Sequence, residues 1–268
     1  MLIAELTRGA KMSIQSEITQ LNTNLDNCYA VCEGLGATMP ANKNFDNLQD
    51  TIASITRDID YIIHNGVLVW ANPKIYLQST DNTNTYIDTG LKSQYFSKIE
   101  TSFKQVNAGI CCFLGARDAS LVNEIDIRYL YQTTGVNRYK FAINDISQNY
   151  DFVEDYSKRK VVYENGEFFF DGTKVADGFS DTSFTGTYNV TLFGMNTVGG
   201  IQGAAKKACR LYNVKLYIAG TLVRHFVPVP QGMVIGETTI ASNGMFDIAN
   251  QQFYPCSGAG TLTYGKDE

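Results

Sequence analysis

Between residues 12 and 35, apolar side chains recur at Ile14, Ile18, Leu21, Leu25, Cys28, Cys32 and Leu35, in alternating steps of four and three. That spacing predicts an amphipathic helix with one continuous stripe. Gly34 and Gly36 end it, and Pro40 marks a loop. A second stripe runs through Phe45, Leu48, Ile52, Ile55, Ile59 and Ile62, with Asn44 placed to cap its first turn. Two readings are open. The stripes can meet across chains as a parallel coiled coil, where isoleucine at both core positions favours trimers. Alternatively the two helices close on each other as a hairpin. The flanking Gln15, Asn22, Tyr29, Gln49 and Thr56 lack the paired charges of long coiled coils, and each segment falls short of roughly three to four heptads. The regularity of the steps favours self-association, and hairpins gathered about a threefold axis would satisfy both readings. Residues 1–11 carry no pattern. Met12 opens the first stripe, so the expectation is that it is the natural start and that 1–11 is an extension.

From Val67 onward the period changes to two. VLVWA, KIYLQST, KIETSFKQV, NEIDIRYLY, RYKFAIN, YNVTLFG and CRLYNVKLYI alternate apolar and polar residues between turn residues. Asn165-Gly166 and Asp171-Gly172 bracket EFFF, and Ala219-Gly220 separates LYNVKLYI from TLVRHFVPV, so successive hairpins are predicted. Many short strands without intervening helices imply a mainly β fold, an antiparallel sandwich, preceded by a helical segment. The expected organisation is an extension over 1–11, a helical oligomerisation or anchor segment over 12–64, and a sandwich over 67–268.

Composition narrows the classes. Acidic residues outnumber basic ones, 27 to 22, with no lysine-arginine block, which argues against nucleic acid as a partner. Glu5 and Arg8 interrupt any secretory signal, and no apolar run approaches the roughly 20 residues of a membrane span, so synthesis in a cytosol and no membrane insertion are expected. The six cysteines form no CxxC pair, and with only His64 and His225 a zinc site is not expected.

The stretch VNEIDIRY (122–129) carries the one pattern that suggests chemistry. On a strand, Glu124 and Asp126 share a face, and Ile125 and Ile127 share the other. Paired carboxylates are what retaining glycosidases use, with a third acid for the leaving oxygen. The next position on that face is Arg128, which donates no proton at neutral pH. A solvated, charge-paired strand face is therefore the expected role of Glu124, Asp126 and Arg128, with contact to a glycan as the alternative.

Three blocks, YLQSTDNTNTYIDTGL (76–91), CRLYNVKLYIAGTLVRHFVPV (209–229) and GMFDIANQQFYPCSGAGTLTYG (244–265), occur in an order that resembles a LamG-like, concanavalin-type jelly roll over about 70–266. The segment 16–55, a helix, a GATMP loop and an NFDNL helix, is similar to the N-terminal segments of phage tail and minor structural proteins. Together they imply a bacteriophage virion protein, made in the bacterial cytoplasm and displayed on the particle surface. Its helical segment would join a homo-oligomer, a trimer, to other virion proteins, and its sandwich would recognise a bacterial surface glycan or another virion protein. An architectural decoration protein is the alternative. The concanavalin-like fold also houses laminarinase-type glycosidases with an E-x-D-x-x-E or E-x-D-x-E strand. Here Arg128 or Tyr129 stands where the acid should be, so no enzymatic activity is expected.

No cofactor is expected. Calcium, which such folds sometimes hold at a rim, would fall on DNTN (81–84) or on Asp171, Asp177 and Asp181, although such residues are also ordinary turn formers. Trp70 could stack on a sugar, with packing where helix meets sandwich as the commoner role. The stretch MNTVGGIQGAAKKA (195–208) lacks strand character and suits a contact loop carrying Lys206 and Lys207.

Overall fold

The computed structural model describes residues 2–34, 37–53, 60–79, 85–107, 109–118, 122–131, 137–152, 156–179, 183–202 and 207–268. The chain divides into two compact units, Met1–Asp60 and Tyr61–Glu268.

The first unit holds helix α1, Leu2–Gly34, and helix α2, Phe45–Ala53. Helix α1 includes residues 2–11, which showed no pattern. Asn44 caps α2 as expected, its Oδ1 accepting the Asn47 amide at 2.9 Å. The buried stripe of α1 is Leu25, Tyr29 and Cys32, at steps of four and three. Tyr29, expected beside the seam, is fully buried and donates to the Asn44 carbonyl at 2.7 Å. Cys28, expected within it, is exposed. Ile18, Leu21 and Phe45 are likewise exposed, and Leu48 is half-buried. The side chains of Ile14 and Ile52, and all of Ile55 and Ile59, lie outside the described residues. Among the described residues, the buried positions of α1 lie toward its C-terminal end, where Tyr29 reaches the residue that caps α2.

The second helical stripe does not reach Ile62. Tyr61–His64 is a strand paired antiparallel with Val67–Ala71, and the sandwich unit starts at Tyr61 rather than Val67. The cause is the turn Asn65-Gly66, with φ of 49° and 76°, the two-residue turn whose twist matches a hairpin. The predicted turns at Asn165-Gly166, Asp171-Gly172 and Ala219-Gly220 have the same positive φ at both positions.

Two sheets follow. The first has ten strands. In spatial order, eight are Thr173–Ala176, Glu167–Phe170, Arg159–Glu164, Lys98–Gln105, Cys209–Ile218, Thr221–Val229, Gly244–Asp247 and Gln252–Pro255, while Ile75–Ser79 bridges Cys209–Ile218 and Leu262–Lys266. The second has eight strands. Gly200–Gln202, Met195–Thr197, Cys111–Ala116, Glu124–Tyr131, Asn137–Asn144 and Ile146–Phe152 lie in order, and Thr185–Leu192 joins Ile87–Gln94 to Cys111–Ala116. Among the described residues pairing is antiparallel except for the bridge between Asn196 and Ala116. The mainly β, antiparallel architecture predicted from alternation is thus present.

Aromatic rings join the two sheets. Phe103 of the first stacks on Phe113 of the second at 3.9 Å, and Tyr139 contacts Phe103, Phe152 and Phe170 at centroid distances of 5.5, 4.5 and 4.9 Å. Tyr129 lies in this core, as its place on the Ile125/Ile127 face predicts. A smaller cluster, with Leu68, Val227, Val229, Ile240 and Phe246, forms where the first hairpin covers the outer face of the ten-stranded sheet. The Tyr61 hydroxyl fastens that hairpin, donating to the Pro228 carbonyl at 2.9 Å.

Candidate functional site

The alternation of VNEIDIRY places Glu124, Asp126 and Arg128 on the outer face of the eight-stranded sheet. Strand register adds a fourth member, Lys140, directly opposite Arg128. Arg128 pairs closely with Asp126 and reaches Glu124 Oε1 at 3.5 Å. Lys140 Nζ lies 2.9 and 3.1 Å from the two Glu124 oxygens and 3.4 Å from Asp126 Oδ2. The face is charge-paired, as expected, but it is not solvated. Glu124 is 2% exposed and Asp126 not at all. Gly115 stands opposite Asp126, and its missing side chain lets Met195 and Cys112 close in, both within 3.0 Å of where a Cβ would stand.

Burial, and next the Asp126 charge, raise the Glu124 carboxyl above its ordinary value despite Lys140 and Arg128. Burial works against the Arg128 charge, yet Asp126 holds that guanidinium protonated more firmly than usual. Burial and Asp126 together push the Cys112 thiol well up, so it is no thiolate. Two acids and two bases neutralise one another. Neither carboxylate is open to a ligand.

The other sequence-derived candidates lie elsewhere. Lys206 is outside the described residues. Lys207 lays its stem on Gly109, and its carbonyl accepts the Cys111 thiol at 3.3 Å. The stretch 195–208, expected to lack strands, contains two short ones, Met195–Thr197 and Gly200–Gln202, paired as a hairpin that leaves Val198 exposed at its tip. Thr197 Oγ1 braces that turn by donating to the Gly200 carbonyl at 3.0 Å. Of the proposed calcium ligands, Asp171 pairs with Arg159 at 3.0 Å and Asp177 with Lys174 at 3.2 Å, while 81–84 and Asp181 are outside the described residues. Among the described residues no group of three or more His, Cys, Asp or Glu is placed to hold a metal ion, and no helix is long and apolar enough to cross a membrane.

Trp70 lines a pocket of about 210 Å³ on the outer face of the ten-stranded sheet, with Asn72, Tyr212, Asn213, Lys215, His225 and Val227. Its volume, below the roughly 300–1,000 Å³ of drug-sized sites, suits a single ring. A β-bulge builds one wall. Between Leu211 and Asn213 the register with Lys98–Gln105 slips by one, so Leu211 and Val214 both face the core and Tyr212 is extra. The Tyr212 hydroxyl donates to Asp267 Oδ2, its ring packs edge-on against Tyr76 at 5.8 Å, and the Lys158 ammonium lies 4.0 Å over its face. Tyr212 is therefore a fixed wall. Trp70 is 39% exposed.

The polar groups around this pocket are unengaged. Among the described residues the Trp70 indole N–H, the Asn213 amide, the Lys215 ammonium and the His225 ring make no hydrogen bond with any protein group. Burial, and then the Lys215 charge, push His225 down to about 4, so its ring is neutral at pH 7. Sequence reasoning found Trp70 and missed Tyr212, Asn213, Lys215 and His225. The available signal was the break of alternation in CRLYNVKLYI, where Leu211 and Val214 fall out of phase.

No protein-family model matches the chain, and no curated protein matches it. Solved structures share parts of its course at low identity. The heptameric SAP-like pentraxin from Limulus polyphemus is 7% identical, with a TM-score of 0.47 over 74% of this chain and 98% of that one. Domains LG4-5 of the mouse laminin alpha1 chain are 9% identical, at a TM-score of 0.35 over 72% of this chain and 51% of that one. Tailspike protein 2 of the Escherichia coli O157:H7 bacteriophage CAB120 is 11% identical, at 0.27 over 72% of this chain and 28% of that one. The sandwich itself rests on the strand pairing described above.

Proposed function

We propose that this chain is a structural protein of a bacteriophage particle whose sandwich binds a bacterial surface glycan without cutting it. The observation that carries the reading is the Trp70 pocket, a ring-sized space with the exposed Trp70 ring in its lining and four unengaged hydrogen-bonding groups. Sugars present both an apolar C–H face and a rim of hydroxyls, and such a pocket meets both. Placement on a virion surface draws on the resemblance of 16–55 to the N-terminal segments of phage tail and minor structural proteins, joined to the LamG-like resemblance of the sandwich blocks. Absence of hydrolysis draws on Glu124 and Asp126, which are buried and matched by Arg128 and Lys140. The exposed Ile18 and Leu21 on α1 support a homotrimer, which would turn weak single contacts into avid attachment.

The test is binding of the full chain to an array of bacterial surface polysaccharides, with an assay for reducing-end release and light scattering for mass. Expected are retention on at least one glycan, no release, a mass three times the 29.7 kDa of one chain, and at least a tenfold loss of affinity in Trp70→Ala. Blank arrays would overturn the glycan reading. They would favour a second one, in which the exposed Ile62, Ile63, Val67 and Val69 of the first hairpin seat against another virion protein.

A further inference from the structure

We propose that the Trp70 pocket takes an acidic sugar, a pyranose bearing a carboxylate, and that Lys215 receives that carboxylate. This rests on the glycan reading above and names the class of sugar. None of the residues around the pocket is acidic, in a chain where acids outnumber bases. Lys215 faces Glu100 on one neighbouring strand and His225 on the other. Glu100 is already engaged, at 3.0 Å by Lys98 and 3.8 Å by Lys160. His225 is neutral at pH 7 and supplies no negative charge to Lys215. Lys215 attracts the Glu100 carboxylate across the strands and helps hold it low, but among the described residues it makes no ion pair at contact distance.

The opposite wall repeats the pattern. Lys158 lies over the Tyr212 ring and donates to the Pro73 carbonyl, so its charge faces no carboxylate at contact distance. Asp267, the nearest acid on that side, is held by Arg210 at 2.7 Å and by the Tyr212 hydroxyl. Lys215 thus lines a space that no acid lines, and Lys158 lies over the Tyr212 ring that forms one of its walls. A neutral hexose would leave Lys215 with no carboxylate at contact distance, whereas a uronic acid would supply one. The Asn213 amide and the His225 ring then remain for the hydroxyls. A charge-assisted hydrogen bond in a sheltered site is worth about tenfold or more in affinity over a neutral one.

The experiment compares paired polymers that differ only in the carboxylate. The full chain is titrated with bacterial polysaccharides containing glucuronic or galacturonic acid, and with the same polymers after their carboxyl groups have been reduced to alcohols. Dextran sulfate serves as a control for unspecific attraction. Expected are binding of a native polymer, at least a tenfold loss on carboxyl reduction, and no comparable binding of dextran sulfate. Lys215→Gln should weaken the native polymer about tenfold while leaving the reduced one unchanged, and Trp70→Ala should weaken both. Thermal unfolding of each variant shows that it is folded. Equal binding of native and reduced polymers would overturn the acidic-sugar assignment and leave the glycan reading standing. So would an unaffected Lys215→Gln, or dextran sulfate binding as tightly. Binding of no polymer, acidic or neutral, would overturn both.

Discussion

Replacing Arg128 with leucine tests the buried charge cluster directly. The change keeps much of the side chain's volume and removes the closest partner of Asp126, which is fully buried. Lys140 alone would then face two carboxylates, at 2.9 Å from Glu124 and 3.4 Å from Asp126. Removing one member of a buried ionic group costs about 3–5 kcal/mol, because the charge left behind cannot regain its hydration. For a unit of this size that corresponds to a fall of about 6–20 °C in Tm. Trp70 is the only tryptophan, so its fluorescence reports the sandwich unit without interference from the helices. Urea titrations at pH 7 and pH 5 are the assay. Burial and the Asp126 charge already raise Glu124 above its ordinary value, and losing Arg128 raises it further. A carboxyl whose folded pKa lies above its unfolded one gives stability at low pH that is lost as pH rises through the folded value. The variant's deficit should therefore be larger at pH 7 than at pH 5. A cost under about 1 kcal/mol at pH 7, or the same cost at both pH values, would refute the view that this cluster is buried and mutually compensating.

Two further predictions follow from other parts of the sandwich. His225 is held near 4 against an ordinary 6.5, so the unfolded chain binds the extra proton between those values. Stability should be complete above about pH 6.5 and fall toward pH 4, by up to about 3 kcal/mol at full effect and by about 1–2 kcal/mol once solvent at the pocket rim is counted. His225→Asn should flatten that slope in urea midpoints measured across the range. Gly166 and Gly172 both have positive φ, 76° and 84°, but an added Cβ at Gly166 would stand 2.7 Å from the Phe179 carbonyl oxygen while Gly172 has nothing within 4 Å. Gly172→Ala should cost about 1 kcal/mol from backbone strain alone, and Gly166→Ala about 2–3 kcal/mol from strain and clash together. Equal costs in a urea titration would show that the clash relaxes away.

Local signals carried much of the fold. Asn165-Gly166, Asp171-Gly172 and Ala219-Gly220 stand where hairpins turn, because each pair tolerates two consecutive positive φ values. The same signal at Asn65-Gly66 was overridden by the heptad steps from Ile55 through Ile62. Steps of three and four do not reveal where a helix stops, and the β-branched pair Ile62-Ile63 lies in a strand. In α1 the apolar stripe was legible but not the extent of its burial. Tyr29 enters the buried face by donating to the Asn44 carbonyl, fifteen residues away, which no periodicity encodes. At the charge cluster, alternation gave the correct face for Glu124, Asp126 and Arg128. It could not supply Lys140, which joins through strand register, or burial, which depends on Gly115 and Met195. The Trp70 pocket was hidden for a related reason. A bulge at Tyr212 shifts the phase of its strand, and a strict period of two misassigns every residue beyond it.

The outer faces of the two sheets treat charge in opposite ways, and that contrast separates folding from binding. On the eight-stranded sheet the buried Glu124 and Asp126 are matched by Arg128 and Lys140, which are themselves only partly exposed. A substitution there should lower stability while leaving the affinity of the molecules that remain folded unchanged. On the ten-stranded sheet Lys215 and the neutral His225 border an open space with their polar atoms unpaired, so removing them leaves no buried group orphaned. Substitution of Lys215 should thus change affinity with little change in stability. An Arg128 variant that lost glycan affinity while fully folded, or a Lys215 variant that lost stability but not affinity, would reverse the assignment of the two faces. The E-x-D strand would then be the ligand site after all. The two faces lie on different sheets, across the aromatic core built on Phe103, Phe113 and Tyr139, and neither substitution removes one of those rings. The two outcomes can therefore be read independently of each other.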